Sequence, residues 1–245
     1  MKSDSLLNIV IPVFNEEKTI ISVLNRLNNE CKSIKNKKII VVDDGSYDKT
    51  SYLLKKHSKL YSKLITSGKN IGKGGAVILA LKHINTGYVL VQDADLEYDP
   101  SEIPRLWNLV KVYDIEVLLT SRMCGSALTR VHYFWHKLGN KLITFLFNIT
   151  NNTTFTDIYS GYIIFNRRLI DEKNLIFKGW AQQAEILTHL KHNSLKIYET
   201  PISYNGRSYL EGKKIHAGAI VPVVFSIFWT NIKLFFVKLK REHVT

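Results

Sequence analysis

The sequence predicts an α/β fold in which a mostly parallel central sheet is covered by helices on both faces. Short, wholly apolar runs alternate with helical segments through the first half of the chain. Such uninterrupted apolar runs are typical of strands that are buried on both faces. Acidic residues directly follow two of these runs, and parallel strands end at a common edge. We therefore expect the acids to lie together at the edge where open α/β sheets bind their ligands.

The elements of the first half follow from these apolar runs and from the turn signals between them. We expect strands at 6–13, 38–42, 60–66 and 88–92, and helices at about 14–29, 46–57 and 75–84. Ser46 or Asp48 is positioned to cap the second helix. A glycine-rich turn at 70–75 leads into the third helix.

The second half has longer helices and more aromatic residues. We expect helices at 102–113, 127–149 and 180–192, strands at 115–120 and 195–204, and a short strand around Ser160 and Gly161 within 157–165. The apolar run at 217–232 is interrupted by Pro222 and ended by Lys233, so it is shorter than the roughly 20 apolar residues that cross a bilayer. We expect an interfacial helix there, followed by a basic tail.

The charge of the chain narrows the class of partner. The 245 residues carry a net charge of +13, which favours nucleic acid, anionic lipid or a phosphorylated substrate. The basic residues are scattered and match no nucleic-acid-binding motif, and paired acids would repel phosphate unless a metal intervened. We therefore expect no nucleic-acid partner. Two cysteines, Cys31 and Cys124, indicate reduced thiols in the cytosol and no disulfide framework.

Two acidic motifs are the most informative feature of the chain. Asp43 and Asp44 stand in VVDDGS (41–46), and Asp93, Asp95 and Glu97 alternate in QDADLE (92–97). Desolvated carboxylates repel each other unless a cation or donors occupy the gap. On an extended chain, Asp-x-Asp places both carboxylates on one side, which suits a hard divalent ion that also holds a diphosphate. Mg²⁺ and Mn²⁺ both suit such oxygen ligands; a solvated acidic loop is the alternative.

The glycine-rich turn SGKNIGKGGA (67–76) resembles a phosphate loop but does not match one. A P-loop requires Gly, four residues and then Gly-Lys-Ser/Thr. Ser67 stands in the place of the first glycine, and Gly74 replaces the hydroxyl residue that would hold magnesium. We therefore reject a P-loop NTPase. Two interpretations remain: a plain turn at a helix start, or a close backbone approach to a nucleotide with Lys73 nearby.

Several runs together resemble the family-2 glycosyltransferases of the GT-A fold, and most of all the polyprenyl-phosphate sugar synthases. The runs are IPVFNEE (11–17), VVDDGSYDKT (41–50), the acidic motif at 92–97, SR (121–122), TDIYSGY (156–162) and PISYNGR (201–207). The resemblance covers about residues 6–215 and implies transfer of a sugar from a nucleotide-diphosphate sugar, UDP- or GDP-linked, with inversion. It implies a GT-A catalytic domain at 1–215, while the apolar and basic composition of 216–245 predicts a C-terminal amphipathic, membrane-associated segment.

The resemblance also implies roles on the donor side of the site. The residues that would flank the nucleotide are Pro12, Phe14, Asn15, Glu16, Asp43, Asp44, Gly72 and Lys73. Asp95 and Glu97 resemble the metal ligands, with Asp93 close to the ribose or the metal. The ion, Mg²⁺ or Mn²⁺, would neutralise the diphosphate leaving group.

On the acceptor side the resemblance is looser. Residues that would receive phosphate groups or border the acceptor are Arg122, Arg130, Asp157, Ser160, Glu185, Arg207 and Lys213. The chain departs from the family pattern at three positions. Thr120 stands where glycine is usual, Ile163 replaces a basic residue, and Gln183 replaces the first acid of an E-x-E pair whose second acid is Glu185. The missing basic residue argues against phosphate binding by the 156–162 segment.

The nature of the acceptor separates two hypotheses. A polyprenyl phosphate is already an anion near neutral pH and needs cations and a membrane surface, but no base. A sugar hydroxyl on a glycolipid or glycan needs a base within hydrogen-bond reach, for which Asp157 and Glu185 are the candidates. We favour the lipid phosphate, at an anionic membrane surface on its cytoplasmic face. A pseudo-enzyme that binds nucleotide sugar without turnover stays open, as does the oligomeric state.

Overall fold

The computed structural model describes residues 5–125, 133–206 and 220–242, and builds them around one seven-stranded sheet. The strands are β1 Leu7–Val13, β2 Lys37–Asp43, β3 Lys63–Thr66, β4 Tyr88–Val91, β5 Val117–Ser121, β6 Ile163–Asn166 and β7 Ile197–Pro201. The helices are α1 Ile20–Glu30, α2 Thr50–Lys56, α3 Gly72–Leu81, α4 Ile103–Val112, α5 Phe134–Asn151, α6 Ala181–Asn193 and α7 Ile220–Glu242. The strand order is β3-β2-β1-β4-β6-β5-β7.

The direction of β6 decides what meets at the carboxyl edge of the sheet. β1, β2, β3 and β4 are mutually parallel, and β7 is parallel to β5, whereas β6 runs antiparallel to both of its neighbours, β4 and β5. The sheet is therefore mostly parallel, as the sequence predicts. Because β6 enters at the edge where the other described strands leave, the residues that precede it join theirs at that edge.

Helices cover both faces of the sheet, which confirms the layered α/β prediction. One buried cluster joins β1 and β2 to α1, α2 and α4. The other joins the opposite face to α3, α5, α6 and α7. β1 is buried along its whole length because it lies between β2 and β4 with helices on both sides. Its sequence is accordingly apolar except for Asn8, whose buried side-chain amide donates to the carbonyls of Thr86 and Tyr88.

Several predicted element boundaries are wrong. The helix predicted from residue 14 begins at Ile20, because residues 14–19 form a turn that is bound to the loop after β2. The short strand predicted around Ser160 and Gly161 begins only at Ile163, and the strand predicted at 195–204 covers Ile197–Pro201. The helix predicted at 127–149 is seen as Phe134–Asn151; residues 127–132 lie outside the described part.

The C-terminal helix is longer than predicted. The apolar segment does not stop at Lys233: Ile220–Val237 is helical and, by length and composition alone, apolar enough to cross a membrane. The expectation that no segment reaches that length is therefore wrong. Within the structure, however, α7 packs along α6 and α5. Only 22% of its apolar window is buried by these contacts.

Candidate active site

Hydrogen bonds between side chains and backbone connect the loop that follows β1 to the loop that follows β2. The amide of Asn15 donates to Ser46 Oγ (3.0 Å), and its side-chain oxygen accepts from the amide of Tyr47 (3.0 Å). The amide of Glu16 donates to Thr50 Oγ1 (3.0 Å). Asn15 has a φ of 54°, a conformation that asparagine tolerates better than most residues. Asn15 thus shapes the loop and does not cap α1.

Pro12 and Phe14 border the same two loops. Pro12 is buried near the end of β1, opposite Val42 and beyond the last β4 pairing at Val10. The missing N–H of proline is tolerated there because the ladder with β4 has ended. The ring of Phe14 packs edge-on against Tyr47, with centroids 5.7 Å apart. Phe14 is half-buried while Tyr47 is 85% exposed, so this aromatic pair forms an open rim of the site.

Asp43 and Asp44 are both buried at the end of β2, but their carboxylates differ. Both oxygens of Asp43 accept hydrogen bonds from the segment that follows β2: one from the amide of Ser46 and the other from Ser51 Oγ. Asp44 Oδ1 accepts from Ser67 Oγ (3.0 Å) and from the amide of Ile71 (2.9 Å). Asp44 Oδ2 is buried with no hydrogen-bond partner among the described residues. A buried carboxylate oxygen without a donor is costly, which marks it as a position for a ligand N–H or O–H.

The acidic motif after β4 does not continue the strand. The chain turns at Ala94 and Asp95, and Leu96 has a φ of 62°. A left-handed leucine costs of order 1–3 kcal/mol and persists only where its surroundings fix it. The amide of Glu97 donates to Asp95 Oδ1 (3.1 Å). The expectation that Asp93 and Asp95 lie on one side of an extended chain is therefore wrong.

The three acids do not form a complete metal site by themselves. Within the described ranges, no three Asp, Glu, His or Cys side chains lie close enough together to bind one metal ion. Lys73 places its ammonium 2.5 Å from Asp93 Oδ1. Burial raises the pKa of the Asp93 carboxyl, and the Lys73 ammonium partly offsets this shift. Half-buried carboxylates of this kind fit an ion that brings most of its ligands with it, because Mg²⁺ commonly takes one or two carboxylates together with substrate phosphates.

The glycines of the 72–75 turn are explained mainly by packing. A Cβ at Gly74 would lie 2.5 Å from the Cβ of Gln182 on α6, and one at Gly75 would lie 2.9 Å from Ile71. Gly72 has a φ of 81°. The turn therefore approaches α6 closely, which gives the plain-turn interpretation a physical basis. Lys73 is the turn residue that reaches the acidic motif.

Arg122 and Asp157 form a buried ion pair at the end of β5. Arg122 Nε and Nη2 donate to the two oxygens of Asp157 at 2.6 and 2.8 Å, and its amide donates to the same carboxylate. Asn140 Nδ2 (2.8 Å) and the amide of Tyr159 (3.3 Å) add further donors. Burial alone would raise the pKa of Asp157, but the Arg122 guanidinium holds it below its ordinary value. Asp157 is thus a poor proton acceptor.

Ser160 and Gly161 lie in the interior. Ser160 is fully buried and its hydroxyl lies 2.5 Å from Thr120 Oγ1. This contact explains why threonine is accommodated at position 120, since its hydroxyl also donates to the Tyr162 carbonyl (3.0 Å). A Cβ at Gly161 would lie 2.4 Å from the ring of Tyr98. Gly161 therefore permits tight packing against Tyr98.

Glu185 is buried on α6 and binds the loop before that helix. Its oxygens accept from the amides of Ile176 (2.9 Å) and Phe177 (3.0 Å). Burial raises the pKa of Glu185, and the two amides partly offset the shift. The predicted site residues Arg130, Arg207 and Lys213 lie outside the described part of the chain.

Sequence reasoning missed three residues that organise the site. Asn140 on the amphipathic helix α5 binds Asp157 through its side-chain amide. Glu199 in β7 accepts from the amide and hydroxyl of Thr156 and from the amide of Asp157. Tyr204 donates its hydroxyl to Glu97 Oε2 (2.7 Å). Of the three, Glu199 could have been predicted as a site residue, because it is a charged residue within a predicted strand.

Comparison with known proteins identifies the class. The profile of glycosyl transferase family 2 matches residues 8–172, more than half of the chain. The chain therefore belongs to glycosyl transferase family 2.

Two curated relatives come from archaea. The low-salt glycan biosynthesis hexosyltransferase Agl6 of Haloferax volcanii is 27% identical over 202 residues, which is 82% of this chain and 48% of that protein. The dolichol-phosphate mannosyltransferase of Pyrococcus furiosus is 27% identical over 215 residues, which is 85% of this chain and 60% of that protein. The chain thus spans about half to three fifths of the length of these relatives.

Solved structures confirm the GT-A fold. Glucosyl-3-phosphoglycerate synthase of Mycobacterium tuberculosis, crystallised with Mn²⁺, UDP and glucosyl-3-phosphoglycerate, superposes with a TM-score of 0.67 at 19% identity, covering 94% of this chain and 81% of that one. Mannosyl-3-phosphoglycerate synthase of Rubrobacter xylanophilus gives 0.68 at 17% identity, covering 98% and 75%.

Proposed function

We propose that this chain transfers a hexosyl group, with inversion, from a UDP- or GDP-linked sugar to a polyprenyl phosphate at the cytoplasmic surface of a membrane. The observation that carries the proposal is that both acidic motifs lie at one edge of the sheet, with Asp44 Oδ2 buried and without a donor among the described residues. A nucleobase presents an N–H that would satisfy this oxygen. Phe14 and Tyr47 lie at the rim of the same loops, where a base or ribose would pack.

The acidic motif fits a divalent ion that arrives with the diphosphate. Asp95 and Glu97 would hold it, with Asp93 beside them. A bound Mg²⁺ or Mn²⁺ would neutralise the charge that develops on the diphosphate leaving group. The Mn²⁺ and UDP named with the Mycobacterium tuberculosis structure support this assignment for the same fold. The ammonium of Lys73 forms an ion pair with Asp93, and from this position it would contact the diphosphate.

The structure favours an acceptor that needs no base. Asp157 already accepts hydrogen bonds from Arg122, Asn140 and Tyr159, and its pKa lies below the ordinary value. Both oxygens of Glu185 bind backbone amides. A phosphate acceptor avoids the need for either, because its oxygen is already ionised. The name of the Pyrococcus furiosus relative supports a lipid phosphate of the dolichol type.

The C-terminal helix supports a lipid surface because it is apolar on its outward side as well as at its contact with the protein, where Val223 and Ile227 are buried. Ser226 and Thr230 are buried against the protein, and Lys233 Nζ reaches the carbonyl of Asn174 (3.3 Å). The outward side carries large apolar side chains: Val221, Phe225, Phe228, Trp229, Ile232, Phe235 and Phe236. A helix at the surface of a soluble protein carries polar residues on its outward side, so this arrangement fits contact with lipid.

Helix α5 continues the same surface, and the two helices contact each other. Its exposed apolar residues are Phe134, Trp135, Leu138, Leu142, Phe145 and Ile149. Lys137 and Lys141 are exposed among them, and α5 contains no acidic residue. A mixture of aromatic and basic side chains suits an anionic bilayer surface. Since Asn140 of α5 binds Asp157, this surface borders the proposed acceptor side of the site.

The donor assignment is tested by calorimetry with UDP and GDP in the presence of Mn²⁺. Asp44→Asn places an amide donor where the carboxylate faces the ligand, so we expect one nucleotide to lose at least about tenfold in affinity, as for a charged hydrogen bond. Asp114→Asn, at an exposed ion pair with Lys196, is the matched control. Equal affinities for both variants would overturn the assignment.

The acceptor assignment is tested by transfer of a radiolabelled sugar to a short polyprenyl phosphate. If no UDP- or GDP-sugar labels the polyprenyl phosphate while a glycan acceptor is labelled under the same conditions, the hydroxyl-acceptor hypothesis replaces the phosphate-acceptor hypothesis. Failure with all acceptors, despite nucleotide binding, would indicate a pseudo-enzyme.

The membrane surface is tested by sedimentation with anionic vesicles. Replacing Phe225 and Phe235 by serine should reduce binding, because each ring contributes buried apolar area. Replacing Tyr113 and Leu195, which are 60% and 99% exposed elsewhere on the chain, should not. Equal binding of both double variants would contradict the proposal.

A further inference from the structure

Three tyrosine rings lie between the acidic motif and the segment that enters β6. Tyr98 lies 5.2 Å from Tyr162 and 5.0 Å from Tyr204, measured between ring centroids. All three rings are buried. Tyr98 directly follows the acidic motif, and Tyr204 follows β7. The cluster therefore joins the proposed metal side of the site to its acceptor side through Tyr204.

The hydroxyl of Tyr204 holds Glu97. It donates to Glu97 Oε2 at 2.7 Å, and the amide of Asn205 donates to the Glu97 carbonyl at 3.1 Å. Two consecutive residues thus fix both the side chain and the backbone of one acid. A donor on a carboxylate oxygen sets the orientation of the group, and such outer contacts tune how well a carboxylate binds a metal.

The ring face of Tyr204 holds Arg122. The guanidinium carbon lies 5.1 Å from the ring centroid, which is within the range of a cation–π contact. Arg122 is otherwise held by the bidentate bond to Asp157. One side chain therefore touches an acid of the metal motif through its hydroxyl and the buried arginine through its ring.

We propose that Tyr204 is a positioning residue that serves both halves of the site: its hydroxyl orients Glu97 for the divalent ion, and its ring holds Arg122 on the acceptor side. The inference rests on the proposed metal–diphosphate site. The two contacts use different parts of the side chain, so substitutions separate them. Tyr204→Phe removes the hydroxyl and keeps the ring, whereas Tyr204→Leu removes both.

Tyr204→Phe should weaken Mn²⁺ binding in the presence of nucleotide by about tenfold, the lower end of the effect of removing an outer contact to a ligand. The KM for the acceptor should stay within about twofold, because the ring still supports Arg122. Tyr204→Leu should show the same metal defect and also raise the acceptor KM. Tyr98→Phe is the matched control, since it removes a hydroxyl from the same cluster and leaves the bond to Glu97 intact.

The experiment titrates Mn²⁺ into protein saturated with UDP or GDP and follows the free ion by electron paramagnetic resonance. Nucleotide affinity in EDTA is measured in parallel, because general loosening of the fold would lower it, whereas loss of an oriented Glu97 would not. Asp95→Asn is included to test the metal site itself.

Three outcomes are informative. A metal defect in Tyr204→Phe, with Tyr98→Phe normal and metal-free nucleotide binding unchanged, supports the proposal. Normal Mn²⁺ affinity in Tyr204→Phe while Asp95→Asn abolishes binding overturns it and leaves the metal site standing. Normal Mn²⁺ affinity in Asp95→Asn overturns the metal site itself.

Discussion

Replacing Asp157 by asparagine tests whether the buried ion pair holds the site together. The side chain of Asp157 is fully buried and that of Arg122 is 15% exposed. The substitution keeps the shape but leaves the guanidinium without its counter-charge in the interior. Removing one partner of a buried pair typically costs about 3–5 kcal/mol. For a chain of this size, that corresponds to a fall in Tm of about 6–20 °C.

The assay is urea or thermal unfolding followed by circular dichroism, with Asp114→Asn as the control. Asp114 makes the same kind of ion pair with Lys196, but the two side chains are 53% and 51% exposed. Screening by solvent limits that pair to about 1 kcal/mol or less. Asp114 has a φ of 49°, which asparagine adopts readily, so the control introduces little backbone strain.

The same pair predicts a pH dependence. The pKa of Asp157 is lower in the folded chain than in the unfolded one, so its stabilisation is complete above the unfolded value of about 3.9 and is lost as the pH falls further. The difference between wild type and Asp157→Asn should therefore be constant near neutrality and shrink below about pH 4. A destabilisation no larger than that of Asp114→Asn would refute the reasoning.

Four further substitutions have expected outcomes. Asp95→Asn should abolish metal-dependent diphosphate binding without unfolding the chain; unchanged calorimetric affinity in Mn²⁺ would contradict the ligand assignment. Lys73→Met should tighten Mn²⁺ binding in the absence of nucleotide by about fivefold or more, since an ion pair whose side chains are only 31% and 20% exposed contributes about 1 kcal/mol or more. Glu185→Gln should cost about 1–3 kcal/mol of unfolding free energy, because one backbone amide loses its acceptor, and should change turnover little if the acceptor is a phosphate. Gly161→Ala should cost about 1–3 kcal/mol in the same unfolding assay, as the new methyl displaces the Tyr98 ring; a neutral result would show that the ring shifts freely.

The layered sheet was predictable because strands buried on both faces are largely apolar runs. Leu7–Val13 and Lys37–Asp43 were found to within a residue or two for that reason. The direction of β6 was not predictable, since Ile163–Asn166 is an apolar run that reads the same in either orientation. The helix start at Ile20 was missed because its loop is held by partners more than 30 residues away in sequence, which no local pattern records.

The positions of the site residues were predictable, but their interactions were not. The two acidic motifs lie at strand ends, where the alternation of strands and helices puts them. The engagement of Arg122 by Asp157 depends on β6 and α5 meeting, and the bond from Tyr204 to Glu97 joins residues 107 apart in the chain. The turn at Asp95 was not predictable because the residue with a positive φ is Leu96. Glycine or asparagine at that position would have indicated a turn.

The position of β6 also constrains how the chain acquires its fold during synthesis. β5 pairs with β6 and β7 and not with β4, so its partners are made more than 40 residues after it. Until then β5, whose Val117, Leu118 and Leu119 are almost fully buried in the final sheet, has an unpaired apolar edge, as does β4. Unpaired apolar edges are prone to aggregation. A nascent chain that stalls between residues 121 and 163 would therefore be the species most in need of a chaperone.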